Sequence, residues 1–207
     1  GDVYKRQTYP LAALCLHTEF SPLSGLTFRE SLYNGVASDR INRQFRFCPR
    51  SDGMFNIGSL SYHIGEEERH HGYYAVGYAL GSSPSETSAD KTFNYALWTL
   101  IEQPLLHVGE SHLGAMWQGG TSPASRSTCR HYWGAGLIWS NIPPRMTQVG
   151  LVVNRALYAD GRETDVELTG SFPVCNHFTL QPAVHCINTN GNYTAAAQLR
   201  AILEFGN

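Results

Sequence analysis

The sequence has no long apolar run and little charge. No stretch of the 207 residues approaches about eighteen consecutive apolar residues, which excludes a transmembrane helix. Charged residues make up 15% of the chain and the formal net charge is −2. Such a balance gives no sign of a polyanion-binding surface, so nucleic acid is not an expected partner.

The motifs of metal and nucleophilic chemistry are also missing. The five cysteines lack the CxxC spacing of a zinc or redox site, the nine histidines form no HExxH motif, and no GxSxG occurs. The acidic and histidine-rich run at residues 66–71 is better interpreted as a solvated turn than as a metal site. We therefore expect no enzyme, no catalytic residues, no cofactor and no metal. A disulfide between Cys48 and Cys129 is an alternative if the protein resides in an oxidising compartment.

What the sequence does contain is alternation of apolar and polar residues, with many glycines and aromatic residues. It has 20 Gly, 11 Tyr, 9 Phe and 4 Trp. In residues 197–205 the odd positions are all apolar, and the even positions include Arg200 and Glu204. Because successive strand side chains point to opposite faces, this run predicts a strand between an apolar and a polar environment.

The same reasoning, applied along the chain, predicts an all-β fold: an antiparallel meander of about eleven strands, in which no helix is required. The predicted strands are 11–20, 26–33, 53–62, 72–81, 93–103, 112–120, 131–139, 148–156, 164–172, 178–187 and 196–205. The connections are too short for parallel crossovers. The two longest, 34–52 and 82–92, fall at the same end of the sheet, although several turns at the other end are predicted to be eight or nine residues long.

Strands of about ten residues with aromatic side chains near their ends are typical of a transmembrane barrel. Four aromatic residues share the apolar parity and predict a girdle at the membrane interface: Trp117, Trp133, Trp139 and Phe205.

Six segments carry a resemblance to a known family: residues 9–14, 53–58, 132–139, 149–156, 163–169 and 180–188. In order and spacing they resemble the C-terminal half of the OprB family of carbohydrate-selective porins. The resemblance implies part of a transmembrane β-barrel of about 16 strands in the outer membrane of a Gram-negative bacterium, with about five N-terminal strands lying outside this sequence. It also implies that the function is passive diffusion of mono- and small oligosaccharides and that the protein contacts outer-membrane lipid. Whether the protein forms a homo-oligomer is left undecided by the resemblance.

The first residues are expected to be foreign to this fold. Residues 2–7, Asp-Val-Tyr-Lys-Arg-Gln, are similar to the translation of a transposase sequencing adapter. We therefore interpret residues 1–7 as an artefact and residues 8–207 as the C-terminal part of the barrel.

A sugar pore needs hydroxyl-bonding side chains on its lumen wall. On the polar parity nine residues are candidates: Arg29, Gln118, Asn154, Asp165, Glu167, Gln181, His185, Arg200 and Glu204. Glu30 falls on the opposite, lipid-facing parity. The alternatives are a related barrel for another solute, such as an exopolysaccharide exporter, a soluble β-sandwich or lipocalin-like binding module, and a barrel enzyme such as a lipase.

Overall fold

A computed structural model describes residues 14–35, 47–65, 72–84, 91–122, 127–144 and 146–204. The described chain forms eleven strands and one short helix. The strands are β1 (Cys15–Leu23), β2 (Leu26–Asn34), β3 (Met54–Ile64), β4 (Gly72–Pro84), β5 (Lys91–Val108), β6 (Ser111–Thr121), β7 (Cys129–Ile142), β8 (Met146–Tyr158), β9 (Arg162–Cys175), β10 (Phe178–Thr189) and β11 (Asn192–Leu203). The helix, α1, is Pro49–Asp52.

Each strand pairs antiparallel with the next one, so the eleven strands form one sheet in the order of the sequence. This confirms the predicted meander. Within the described residues β1 pairs only with β2 and β11 only with β10, so the sheet is open at both edges. None of the helical segments in this part of the chain is long and apolar enough to cross a membrane.

Most strands are longer than the sequence predicts; β1, predicted at 11–20, instead spans Cys15–Leu23. β5 continues to Val108 through an irregularity beside Pro104, and β9 continues through Pro173 to Cys175. The connections predicted at 104–111 and 140–147 are consequently shorter, and consist of residues 109–110 and 143–145. The structure adds one short helix, α1, in the long connection between β2 and β3.

The two ends of the sheet therefore differ. The connection at residues 35–53 is the longest and lies at what we call the loop end. The opposite end, the turn end, carries the connections 24–25, 65–71, 109–110, 143–145 and 176–177. The longest connection thus lies at the loop end, as in outer-membrane barrels, although the connections 159–161 and 190–191 at that end are also short.

Register defines two faces, because residues paired across antiparallel strands point to the same side. The apolar face carries Leu199 and the polar face carries Arg200. Leu137, Leu151, Leu168 and Val184 are paired in series across four strands of the apolar face, and each is between 47% and 55% exposed. One continuous apolar surface thus crosses β7 to β10.

The sheet has almost no hydrophobic core of its own. In the described chain Ala75 and Ala156 are the buried apolar residues, and no large side chain is fully buried. A soluble sandwich needs a second sheet packed about 10 Å away against its apolar face, whereas these strands form a single layer. The fold therefore does not support the alternative of a soluble sandwich.

Candidate functional site

The polar face holds the predicted lumen residues. The register places eight of the nine in strands on this face, and Glu204 directly follows β11, where its backbone N–H bonds the carbonyl oxygen of His177 at 3.0 Å. Strand parity thus assigned the face correctly. It did not show which of these residues meet.

The strongest concentration is a row that we call the polar row, formed by Gln118, Tyr132, Asn154 and Asp165. The register pairs Gln118 of β6 with Gly134 of β7, Gly134 with Asn154 of β8, and Asn154 with Asp165 of β9. These positions follow one another across four neighbouring strands. The row therefore runs across the sheet rather than along a single strand.

Tyr132 joins the first part of the polar row. Gln118 Nε2 donates to the Tyr132 hydroxyl at 2.6 Å, and the hydroxyl donates to Asn154 Oδ1 at 2.8 Å. Gly134 makes this convergence feasible, because a Cβ at this position would lie 2.4 Å from Asn154 Oδ1 and 3.1 Å from Gln118 Nε2. The result is a connected array of amide and phenol groups on the polar face.

The second concentration, which we call the acid–histidine cluster, contains Asp165, Glu167 and His185. Asp165 and Glu167 alternate along β9, and Glu167 pairs directly with His185 of β10. His185 Nδ1 lies 3.1 Å from Asp165 Oδ2, and both side chains are about one fifth exposed. One potential ligand atom from each residue lies within 4.8 Å of the other two. The cluster continues the polar row at Asp165.

The remaining candidates lie apart from these two groups. Arg29 of β2 donates to Glu19 Oε2 of β1 at 2.6 Å, and both side chains are about half exposed. Gln181 pairs in register with Arg200 closer to the turn end. The structure therefore divides the nine candidates among separate positions on the polar face.

Sequence reasoning missed several residues of the polar face. Tyr132, which bridges the polar row, is not among the nine candidates. Its position next to Trp133, and therefore on the opposite face of the strand, could have indicated it. At the turn end, a recess of about 270 Å³ is lined in part by Tyr73, Glu102 and His112. These residues follow the same alternation, and only the register shows that they lie near one another.

The apolar face shows the predicted aromatic residues. Trp117 and Trp133 stack with ring centroids 5.9 Å apart and planes at 10°, toward the loop end of β6 and β7. Trp139 lies near the turn end of β7 and is 50% exposed. The apolar parity of all three is confirmed. Phe205, the fourth predicted girdle residue, lies outside the described residues, as do residues 1–7 and the run at 66–71.

One polar cluster interrupts the apolar face, as the parity of Glu30 predicts. The Tyr78 hydroxyl donates to the Glu30 carboxylate at 3.0 Å and 3.1 Å, and Asn56 Nδ2 donates to the same carboxylate. A Cβ at Gly58 would lie 2.4 Å from Glu30 Oε2. The carboxylate is thus surrounded by hydrogen-bond donors.

The five cysteines are free thiols, so a Cys48–Cys129 disulfide is absent from this structure.

No protein-family model and no curated protein matches this sequence. A solved structure, the high-pH structure of OprB from Pseudomonas putida, matches with a TM-score of 0.70 and 13% sequence identity. The match covers 91% of this chain and 57% of the OprB chain. At this identity the similarity shows the fold alone: the chain has an OprB-like porin fold and spans a little over half of the length of its match.

Proposed function

We propose that this chain forms part of the wall of an outer-membrane porin through which mono- and small oligosaccharides diffuse passively. The observation that carries the proposal is the single-layered meander itself: one face is continuously apolar, the other carries the polar row, and the whole matches the fold of OprB. The proposed activity is transport, with no bond made or broken.

The apolar face supports a membrane environment. Its row of half-exposed leucine and valine side chains from Leu137 to Val184 would cost free energy in water, at about 25 cal/mol for each Å² of apolar surface. Trp117 and Trp133 lie toward one end of their strands and Trp139 toward the other, as expected for aromatic residues at the two interfaces of a bilayer.

The polar face supports a solute that forms many hydrogen bonds. Gln118, Tyr132 and Asn154 present amide and phenol groups, and Asp165 adds a carboxylate. A sugar offers hydroxyls that such groups bind and C–H patches that pack on a tyrosine ring. Arg200 and Glu204 extend this chemistry toward the turn end, since guanidinium and carboxylate groups both bind neighbouring hydroxyls in pairs.

The proposed pore requires more strands than those described. The edges at β1 and β11 are each paired on one side only within the described residues, and open strand edges are not tolerated in lipid. We propose that further strands of the same protein, about five as in a barrel of about 16, connect β11 to β1.

Liposome swelling tests the sugar assignment. Vesicles that contain the complete protein carrying this sequence are diluted into isotonic solutions of glucose, maltose, amino acids or dextran. We expect swelling with glucose and maltose to be faster than with amino acids of similar size, and no swelling with dextran. Equal rates for sugars and amino acids of equal size would reject sugar selectivity, and transport of polymeric sugar would favour an exporter.

A further inference from the structure

We propose that the acid–histidine cluster, Asp165, Glu167 and His185, is a binding site for a divalent transition-metal ion on the polar face. Each residue offers a different ligand atom: a carboxylate oxygen from Asp165, another from Glu167 and an imidazole nitrogen from His185. These atoms lie within 4.8 Å of one another. The inference goes beyond sugar transport and does not depend on it.

The strand pairing explains why the three side chains converge. Asp165 and Glu167 are two residues apart on β9 and therefore share a face, and His185 is the direct partner of Glu167 on β10. His185 Nδ1 and Asp165 Oδ2 are 3.1 Å apart. Two ligands of one tetrahedral zinc ion, at about 2.0–2.2 Å from the metal, lie about 3.4 Å from each other. This pair already has nearly that spacing, so an ion would replace the hydrogen bond between Nδ1 and Oδ2, with a carboxylate oxygen of Glu167 as the third ligand.

An unsatisfied atom points to the same place. Asp165 Oδ1 is shielded from solvent and has no hydrogen-bond partner among the described residues. A shielded carboxylate oxygen without a donor costs free energy, and a bound cation would remove that cost. An ion that replaces the hydrogen bond between His185 Nδ1 and Asp165 Oδ2 binds the same carboxylate group and stabilises the charge that Oδ1 shares.

The ligand set selects the class of ion. Ca²⁺ and Mg²⁺ prefer oxygen ligands throughout, and Ca²⁺ takes about six to eight of them. One imidazole with two carboxylates suits Zn²⁺ and its neighbours better. Three protein ligands leave a fourth position for water, as in open zinc sites. The bound ion would also neutralise the two carboxylates on this part of the wall.

Isothermal titration calorimetry tests the site on the complete protein refolded in detergent, with ZnCl₂ as the probe and CaCl₂ for comparison. We expect saturable binding of one Zn²⁺ and much weaker binding of Ca²⁺. Glu167→Gln and His185→Ala should each weaken Zn²⁺ binding by at least about 10–100-fold, the loss that removal of an outer-shell partner alone causes. Glu102→Gln is the matched control, because it removes a carboxylate from β5, four strands from β9, and should leave Zn²⁺ affinity unchanged.

Folding of each variant is checked by its heat-modifiable mobility in gel electrophoresis. Absence of Zn²⁺ binding by the folded wild-type protein would overturn the site, as would Zn²⁺ binding that folded Glu167→Gln and His185→Ala variants retain in full. Neither result would affect the sugar assignment, because swelling is measured without metal.

Discussion

At the scale of single residues, alternation places a side chain on a face but does not reveal its neighbours. Gln118 and Asn154 were predicted to share the polar face, and they do. Their connection through Tyr132 depends on the register of β6, β7 and β8, and on the space over Gly134. Strand ends read from sequence are uncertain by about two to four residues, which is more than the one-residue slip that would separate these partners.

Gly134→Ala tests whether that space holds the polar row together. The added methyl would lie 2.4 Å from Asn154 Oδ1, so the amide must turn away and break its hydrogen bond with Tyr132. We expect the free energy of unfolding to fall by about 0.5–1.5 kcal/mol. Denaturant unfolding of the complete protein in detergent, followed by tryptophan fluorescence, measures the change.

Gly114→Ala is the control for this substitution. Gly114 lies in β6 and, like Gly134, on the polar face. The closest atom to an added Cβ there is the Gln103 carbonyl oxygen at 3.7 Å. We expect a change within about 0.5 kcal/mol. Equal effects of the two substitutions would contradict the role of Gly134.

Tyr78→Phe tests the polar cluster on the apolar face. It removes the hydroxyl that donates to the Glu30 carboxylate, and in a lipid environment water cannot replace that donor. We expect the unfolding free energy to fall by about 0.5–2 kcal/mol. Tyr62→Phe, on the same face of β3, removes a hydroxyl without a hydrogen-bond partner among the described residues and should have little effect. A larger loss from Tyr62→Phe than from Tyr78→Phe would contradict this account.

At the scale of elements, the sequence predicted the number and order of the strands better than their ends. Alternation is clearest in β9, β10 and β11, because two different environments act on the two faces of each strand. Ser140, Asn141 and Pro173 are turn-forming residue types and suggested breaks, yet β7 and β9 continue through them. The backbone ladder continues wherever the neighbouring strand supplies partners. Helix α1 follows Cys48 in a segment without periodicity, so alternation could not predict it.

Single-tryptophan variants test the assignment of the two faces. Trp139 lies on the apolar face of β7, and Trp98 pairs with Gly77 and Gly120 on the polar face of β5. In proteoliposomes of the complete protein we expect brominated lipid to quench a variant that keeps only Trp139, and aqueous iodide to quench one that keeps only Trp98. The reverse pattern would show that the faces are assigned the wrong way round.

At the scale of the whole molecule, the described chain is one layer with an exposed apolar face and two open edges. Alternation predicted the antiparallel meander, whereas the open edges were implied by the resemblance to the OprB family; the structural similarity to OprB supports the fold. The distribution of polar groups on the wall, the acid–histidine cluster above all, required three-dimensional register. The described residues form part of the proposed pore wall, so the function proposed for the closed pore belongs to the complete protein.

Single-channel conductance of the complete protein in a planar bilayer tests the central claim most directly. Glucose and maltose are titrated while the ion current through one open channel is recorded. Because sugar molecules would occupy the same polar wall that the ions pass, we expect the current to fall in a saturable manner with either sugar. A current that is unaffected by both sugars but is blocked by another class of solute would contradict the account.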